Sequence, residues 1–274
     1  YVGESGETLL EPSCGDGAIL QHLRQQSLHA IGVELIGSEA RKAEDGTGAV
    51  VINDDFFSWS AGQADGSYDG IAGNPPYIRF GTWDEESRSR AIKQMIEAGL
   101  APNRLTNAWV PFVVSSLRLL RVGGRLGLVL PAELLQVGYA KQLREHIASA
   151  CSRVTIVSFR KLIFEGVLQE VVLLLAERGP GPARISTVEL ANAEELIELD
   201  LRELEADRPS LLDGEKWTKY FLNADQIELV RAVRQDVRLS TLGEFASVDV
   251  GVVTGRNSFF VLSPEDASSL GITD

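Results

Sequence analysis

Cysteine is nearly absent from this 274-residue chain, which contains only Cys14 and Cys151. Two thiols exclude a disulfide framework and a cysteine metal quartet, and they point to a reducing cytoplasm. The three histidines, His22, His29 and His146, are scattered, so no metal cluster is expected. Long apolar runs are missing as well. Val171-Val172-Leu173-Leu174-Leu175-Ala176 is among the longest, far below the roughly 20 residues of a membrane span, so no membrane is expected as a partner. The start, Tyr1-Val2-Gly3-Glu4-Ser5, is polar and acidic, unlike a secretory signal. Methionine occurs once, at Met95, and Tyr1 stands directly before an apparent first core strand, so the chain reads as a fragment of a longer protein. Basic residues are the minority, and the net charge of −13 argues against indiscriminate nucleic-acid binding. The acids are unevenly spread: between Ala193 and Asp207 stand seven of them and a single base, Arg202, as on one solvated helix.

What is present is ordinary globular material, 44% hydrophobic and 24% charged. The length suits a main domain of about 200 residues with an appendage. Residues 7–12, 29–35, 49–54, 68–73 and 125–131 read as strands that alternate with helices or loops, which favours a mainly parallel sheet. Residues 106–121 read as an apolar helix capped by Gly123-Gly124, and residues 79–104 as a loop with a short helix. Two β-rich runs, 153–159 and 170–177, suggest an antiparallel pair at the sheet edge. The expected fold is therefore α/β, Rossmann-like, with seven strands, a mainly parallel sheet and an antiparallel edge strand. Gly179-Pro180-Gly181-Pro182 reads as a linker, followed by one more strand over 183–190. Three regions are expected: a catalytic domain over 1–180, a linker and helical region over 181–240, and the opening of a further domain over 241–274.

Two stretches carry chemistry. In Glu11-Pro12-Ser13-Cys14-Gly15-Asp16-Gly17, glycines at the start of a helix let backbone N–H groups approach a ligand. Glu34 ends the second strand 17 residues after Gly17, near the roughly 20-residue offset at which an acid meets a ribose diol. The second stretch is Asn74-Pro75-Pro76-Tyr77. Consecutive prolines cannot donate to a sheet ladder, so the fourth strand stops there, at the end where open α/β sheets bind ligands. The Asn74 amide oxygen and the Pro75 carbonyl form a pair of acceptors suited to one amino group with two hydrogens. Tyr77 offers a face on which the planar group carrying that nitrogen can stack.

In order and spacing, Glu11-Pro-Ser-Cys-Gly-Asp-Gly17, Gly32-Val33-Glu34, Asp54-Asp55-Phe56 and Asn74-Pro-Pro-Tyr77 resemble the S-adenosylmethionine-dependent N6-adenine DNA methyltransferases of restriction-modification systems. The resemblance spans roughly residues 7 to 178. It implies that the loop at Pro12, Ser13, Cys14, Gly15 and Gly17, with Glu11 before it, cradles the methionine part of S-adenosylmethionine. It also implies that Glu34 takes the ribose hydroxyls, that Asp55 bonds the adenine amino group, and that Phe56 lies beside the ring. Asn74 and Pro75 would then hold the target nitrogen, while Tyr77 and Phe164 stack on a base extruded from double-stranded DNA. Residues 251–260 look like the start of a target-recognition region, and fused or associated restriction and specificity modules are implied partners. Family members carry a further cofactor-binding segment before the glycine loop, where only Tyr1 to Gly6 stand here. Other readings remain open at this level: a glutamine-N5 methyltransferase, whose amide substrate presents the same two hydrogens, an rRNA methyltransferase, or a non-catalytic DNA-binding module.

Overall fold

A computed structural model of the chain describes residues 1–160, 170–197, 199, 216–222, 224–247, 251 and 262–272. Among them are eight strands of one sheet: β1 (Thr8–Glu11), β2 (His29–Glu34), β3 (Val50–Asn53), β4 (Tyr68–Gly73), β5 (Leu120–Pro131), β6 (Cys151–Phe159), β7 (Val171–Arg178) and β8 (Arg184–Leu190). Their order is β3-β2-β1-β4-β5-β7-β6-β8, and only β7 runs antiparallel to its neighbours. The helices include α1 (Ala18–Gln26), α2 (Gly37–Thr47), α3 (Phe56–Ala61), α4 (Glu85–Glu97), α5 (Trp109–Leu119), α6 (Lys141–Ala150) and α7 (Ala224–Gln235).

The mainly parallel α/β sheet is as expected, but it has eight strands instead of seven, and its antiparallel strand is interior. After Arg178 the chain turns back tightly: Gly179 N–H donates to the Ala150 carbonyl at 3.1 Å and Ala183 N–H to the Ala148 carbonyl at 2.8 Å. A Cβ at Gly181 would lie 2.5 Å from the Ser149 carbonyl oxygen, so only glycine fits this return. β8 then pairs with β6 from Arg153↔Arg184 to Phe159↔Leu190, which covers an edge that would otherwise stand open. The glycine-proline run is thus a turn within the sheet.

Two further elements differ from expectation. Residues 79–104 hold the 13-residue α4, capped by Asp84, whose Oδ1 accepts from the N–H groups of Glu86 and Ser87 at 3.1 and 2.9 Å. Gly123-Gly124 lies inside β5 rather than at a helix end, beside the register shift between Tyr68 and Gly70.

α5 explains the depth of the core. Every residue of it except Arg118 is buried, because it packs against β5 and against α4. The main apolar cluster joins Trp109, Val113 and Leu117 of α5 to Ile71, Leu128, Val154, Ile156 and Leu174 of the sheet. A second, smaller cluster gathers Leu9, Leu20, Leu23, Ala30, Ala43 and Ala49. The chain divides into two compact units, Tyr1–Asn223 and Ala224–Asp274. Trp217, buried beyond the expected boundary at 180, belongs to the core of the first. In the second, α7 and a short helix, Pro264–Ser269, are described. Of the acidic run, residues 193–197, holding the 3-10 turn Glu194–Ile197, and residue 199 are described; the remainder, like most of 251–260, lies outside the described residues.

Candidate active site

β1 runs straight into the glycine turn. Cys14 N–H donates to the Val33 carbonyl at 3.0 Å, Gly17 N–H to the Cys14 carbonyl at 2.8 Å, and Gly15 N–H to Glu34 Oε2 at 2.9 Å. Gly15 and Gly17 have φ of 54° and 94°, the left-handed region that disfavours other residues. Gly17 also leads into α1 so closely past α2 that a Cβ would lie 3.0 Å from Ala43 Cα. The second oxygen of Glu34 accepts from Ile36 N–H at 2.8 Å. Glu34 therefore clasps both the turn and the chain after β2, while each oxygen keeps a lone pair for a further donor.

Glu11, the last residue of β1, is 2% exposed, and its Oε2 has no hydrogen-bond partner among the described residues. Burial pushes its carboxyl up to about 9, with the charges of Glu34 and Asp16 adding to the rise against a favourable Leu20 N–H. Cys14 is also buried, and its thiol is pushed up to about 12, which leaves it a poor nucleophile.

Parallel pairing of β1 with β4, through Leu9↔Gly70 and Leu10↔Ile71, brings residues 74–77 beside the glycine turn at the carboxyl ends of both strands. Contact is direct: Ser13 Oγ donates to the Asn74 carbonyl at 3.3 Å. Asn74 is exposed, Pro75 is buried, and Tyr77 is half-buried. The Tyr77 hydroxyl stands 2.9 Å from the Asn74 side chain and 3.0 Å from the Val129 carbonyl, and burial raises its pKa. Ile78, next in sequence, accepts from Ala108 N–H at 2.9 Å, which ties the turn to the start of α5.

Asp55 and Phe56, expected beside a ligand's ring, make contacts within the chain at the start of α3. Asp55 caps α3 by accepting from Ser58 N–H at 2.9 Å, and its other oxygen accepts from Ser87 Oγ at 2.6 Å. Arg90 Nη1 is 3.8 Å away. Phe56 is 3% exposed and stacks on Phe112 at 4.9 Å between centroids, with Phe57 edge-on. The cause is that α3 begins at Phe56 and must bury its apolar face. Phe164 lies outside the described residues. The turn from Glu11 to Gly17, with Glu34, Asn74, Pro75 and Tyr77, thus meets at one end of the sheet.

The Val129 carbonyl was not foreseen, since no sequence pattern marks a strand's backbone acceptor. The Asn107 side chain is likewise unmarked by any sequence pattern beyond a polar pair, Thr106-Asn107, just before an apolar helix. Its Oδ1 is buried without a partner among the described residues, next to the Ala108 amide that bonds Ile78. No group of side chains with metal-ligand character occurs among the described residues, and no described helix is long and apolar enough to cross a membrane.

Comparison with known proteins adds an independent line. The family model described as the Eco57I restriction-modification methylase matches residues 18–164, and that of the C-terminal domain of the type II methyltransferase M.Eco57I matches residues 214–274. The type II methyltransferase M.AccI of Acinetobacter calcoaceticus is 23% identical over 290 residues, covering 98% of this chain and 51% of that protein. The chain spans about half the length of the first curated relatives it matches. Among solved structures, a complex of DrdV with DNA superimposes with a TM-score of 0.57 at 13% identity, over 80% of this chain and 28% of that one. A class I S-adenosylmethionine-dependent methyltransferase described as putative, from Listeria monocytogenes, does so with a TM-score of 0.52 at 15% identity, over 70% of this chain and 59% of that one. At such identities the structural likeness concerns the fold.

Proposed function

Because this chain belongs to the Eco57I restriction-modification methylase family, we propose that it carries the methyl-transfer centre of a DNA methyltransferase whose target is the N6 nitrogen of adenine. The observation that carries this reading is the meeting of two turns, 11–17 and 74–77, at one end of the sheet, joined by the Ser13–Asn74 bond. One supplies a cradle for a small ligand, the other a pair of acceptors for an amino group.

The residues present fit S-adenosylmethionine. Glu11 offers a buried oxygen that lacks a partner among the described residues, the kind of group a cofactor ammonium satisfies. Glu34 keeps lone pairs for ribose hydroxyls while it holds the turn in shape. When bound, the cofactor supplies a methyl group on a cationic sulfur. The chain's own task is to make the amino nitrogen nucleophilic. Its lone pair is delocalised into the ring, and acceptance of both hydrogens by the Asn74 amide oxygen and the Pro75 carbonyl draws electron density back to it. These bonds strengthen as positive charge develops on nitrogen, so they stabilise the transition state more than the bound substrate.

Inside a duplex the nitrogen is out of reach, so the base must be extruded at a cost of a few kcal/mol. Stacking on Tyr77 offsets this by about 1–3 kcal/mol. In this reading the sheet-bearing unit is the methyl-transfer domain, the part from about 241 onward opens the region that reads DNA, and restriction or specificity modules belong to the rest of the enzyme. The test is methyl transfer from radiolabelled cofactor to duplex DNA, RNA and protein by the full-length protein. Transfer to adenine N6 in DNA is expected, and transfer confined to RNA or protein would overturn the reading. Asn74→Ala is expected to bind DNA normally but to lose at least about 100-fold in rate.

A further inference from the structure

The Tyr77 hydroxyl has more neighbours than protons. It lies 2.9 Å from the Asn74 side-chain atom assigned as Oδ1 and 3.0 Å from the Val129 carbonyl oxygen. A phenol carries a single proton, so it cannot donate fully to both. The Val129 carbonyl can only accept, whereas the Asn74 carboxamide has an oxygen and an NH2 of nearly the same shape, interchangeable without steric cost. With the oxygen turned toward Tyr77, two acceptors compete for one proton. With the NH2 turned toward Tyr77, Asn74 Nδ2–H donates to the phenol oxygen while the phenol O–H donates to Val129, and both bonds are made.

Sheet register explains why Val129 needs the phenol. β4 and β5 are paired as far as Gly73↔Leu128. One step further sets Asn74 opposite Val129, and the next residue, Pro75, has no N–H to offer a facing carbonyl. The proline that ends β4 thereby leaves an acceptor unpaired at the rim, and the tyrosine two residues later fills it. The phenol is held by a fixed backbone atom, so its lone pairs are fixed as well.

We propose that the Tyr77 hydroxyl, anchored on the Val129 carbonyl, is a positioning group that selects the Asn74 orientation in which the NH2 faces inward and the amide oxygen faces the target amino nitrogen. The aromatic ring and the hydroxyl of Tyr77 then have separate duties: the ring meets the base, and the hydroxyl sets the direction of the neighbouring acceptor. This inference rests on the methyl-transfer reading for its consequence, though its hydrogen-bond geometry can be tested without activity.

The experiment uses full-length protein and Tyr77→Phe, which keeps the ring. On duplex DNA, kcat is expected to fall about tenfold while KM for DNA changes less than twofold, because the wrong acceptor geometry is felt in the transition state. In an Asn74→Asp background both side-chain oxygens are acceptors, orientation no longer matters, and Tyr77→Phe is expected to have little further effect. An equal loss in both backgrounds, or an unchanged kcat with asparagine present, overturns the proposal. Hydrogen exchange of the Asn74 side-chain NH2, followed by NMR, decides independently and stands alone if the aspartate variant is too slow to assay. Slow exchange in the native chain and fast exchange in Tyr77→Phe are expected, and unprotected native protons overturn the proposal. Protected protons in a protein that transfers no methyl group to DNA would instead refute the functional reading and leave the geometry standing.

Discussion

At the scale of single residues, burial has shifted protonation at the glycine-turn end of the site. The folded Glu11 carboxyl titrates near 9 against an ordinary 4.5. A folded-state pKa above the unfolded one contributes stability that is complete below the unfolded value and is lost as pH rises through the folded one. Stability is therefore expected to fall between about pH 5 and pH 9 on account of this group, and Glu11→Gln should flatten that slope in denaturant titrations. An unaltered slope would count against the assignment. The two thiols give a simpler check. Burial pushes both Cys14 and Cys151 up to about 12, so neither is expected to react with a thiol reagent at about pH 8 until the chain is unfolded, when both should.

At the scale of elements, the least legible piece is the α3–α4 clasp. The inner face of α4 is Ser87, Ala91, Gln94 and Met95, with too little apolar spacing to announce more than a short helix. Its stability comes from partners far away in sequence. Gln94 Oε1 accepts from Ser115 Oγ at 2.5 Å and Ser60 Oγ at 3.2 Å, and its Nε2 donates to the Phe57 carbonyl at 2.7 Å. Removing it strands these buried groups at about 1–3 kcal/mol. Gln94→Ala is accordingly expected to lower stability by about 2–4 kcal/mol, read from the denaturation midpoint. The same clasp accounts for Asp55 and Phe56. Their residue types suit a ligand, but the helix that starts at Phe56 uses the carboxylate as its cap and the ring as its core contact.

At the scale of the whole molecule, the eight-strand sheet sets where the unit Tyr1–Asn223 can be cut. A chain ended at residue 180 loses β8, including buried Ile185 and Leu190, along with buried Trp217, and bares the β6 edge. It is expected to aggregate or to unfold without cooperativity, whereas one ended at 223 should melt in a single transition; calorimetry distinguishes the two. The parallel layout also explains how turns separated by 61 residues come within one hydrogen bond. Each crossover returns the chain to the same starting edge, so the loops that leave β1 and β4 emerge side by side.

The sequence by itself determined the order of strands and helices through most of the first 178 residues, the stop that two prolines impose on β4, and the glycine turn between β1 and α1. Those are local matters, decided by which dihedrals and backbone donors each residue possesses. Only the tertiary structure decided that Glu11 is buried with an oxygen that lacks a partner among the described residues, that Asp55 caps α3 while the Phe56 ring stacks on Phe112, that residues 184–190 pair with β6, and that Tyr77 rests on Val129. Each of these depends on groups brought together across long stretches of chain, where burial sets the cost of an unpaired polar atom and no spacing in one dimension records it.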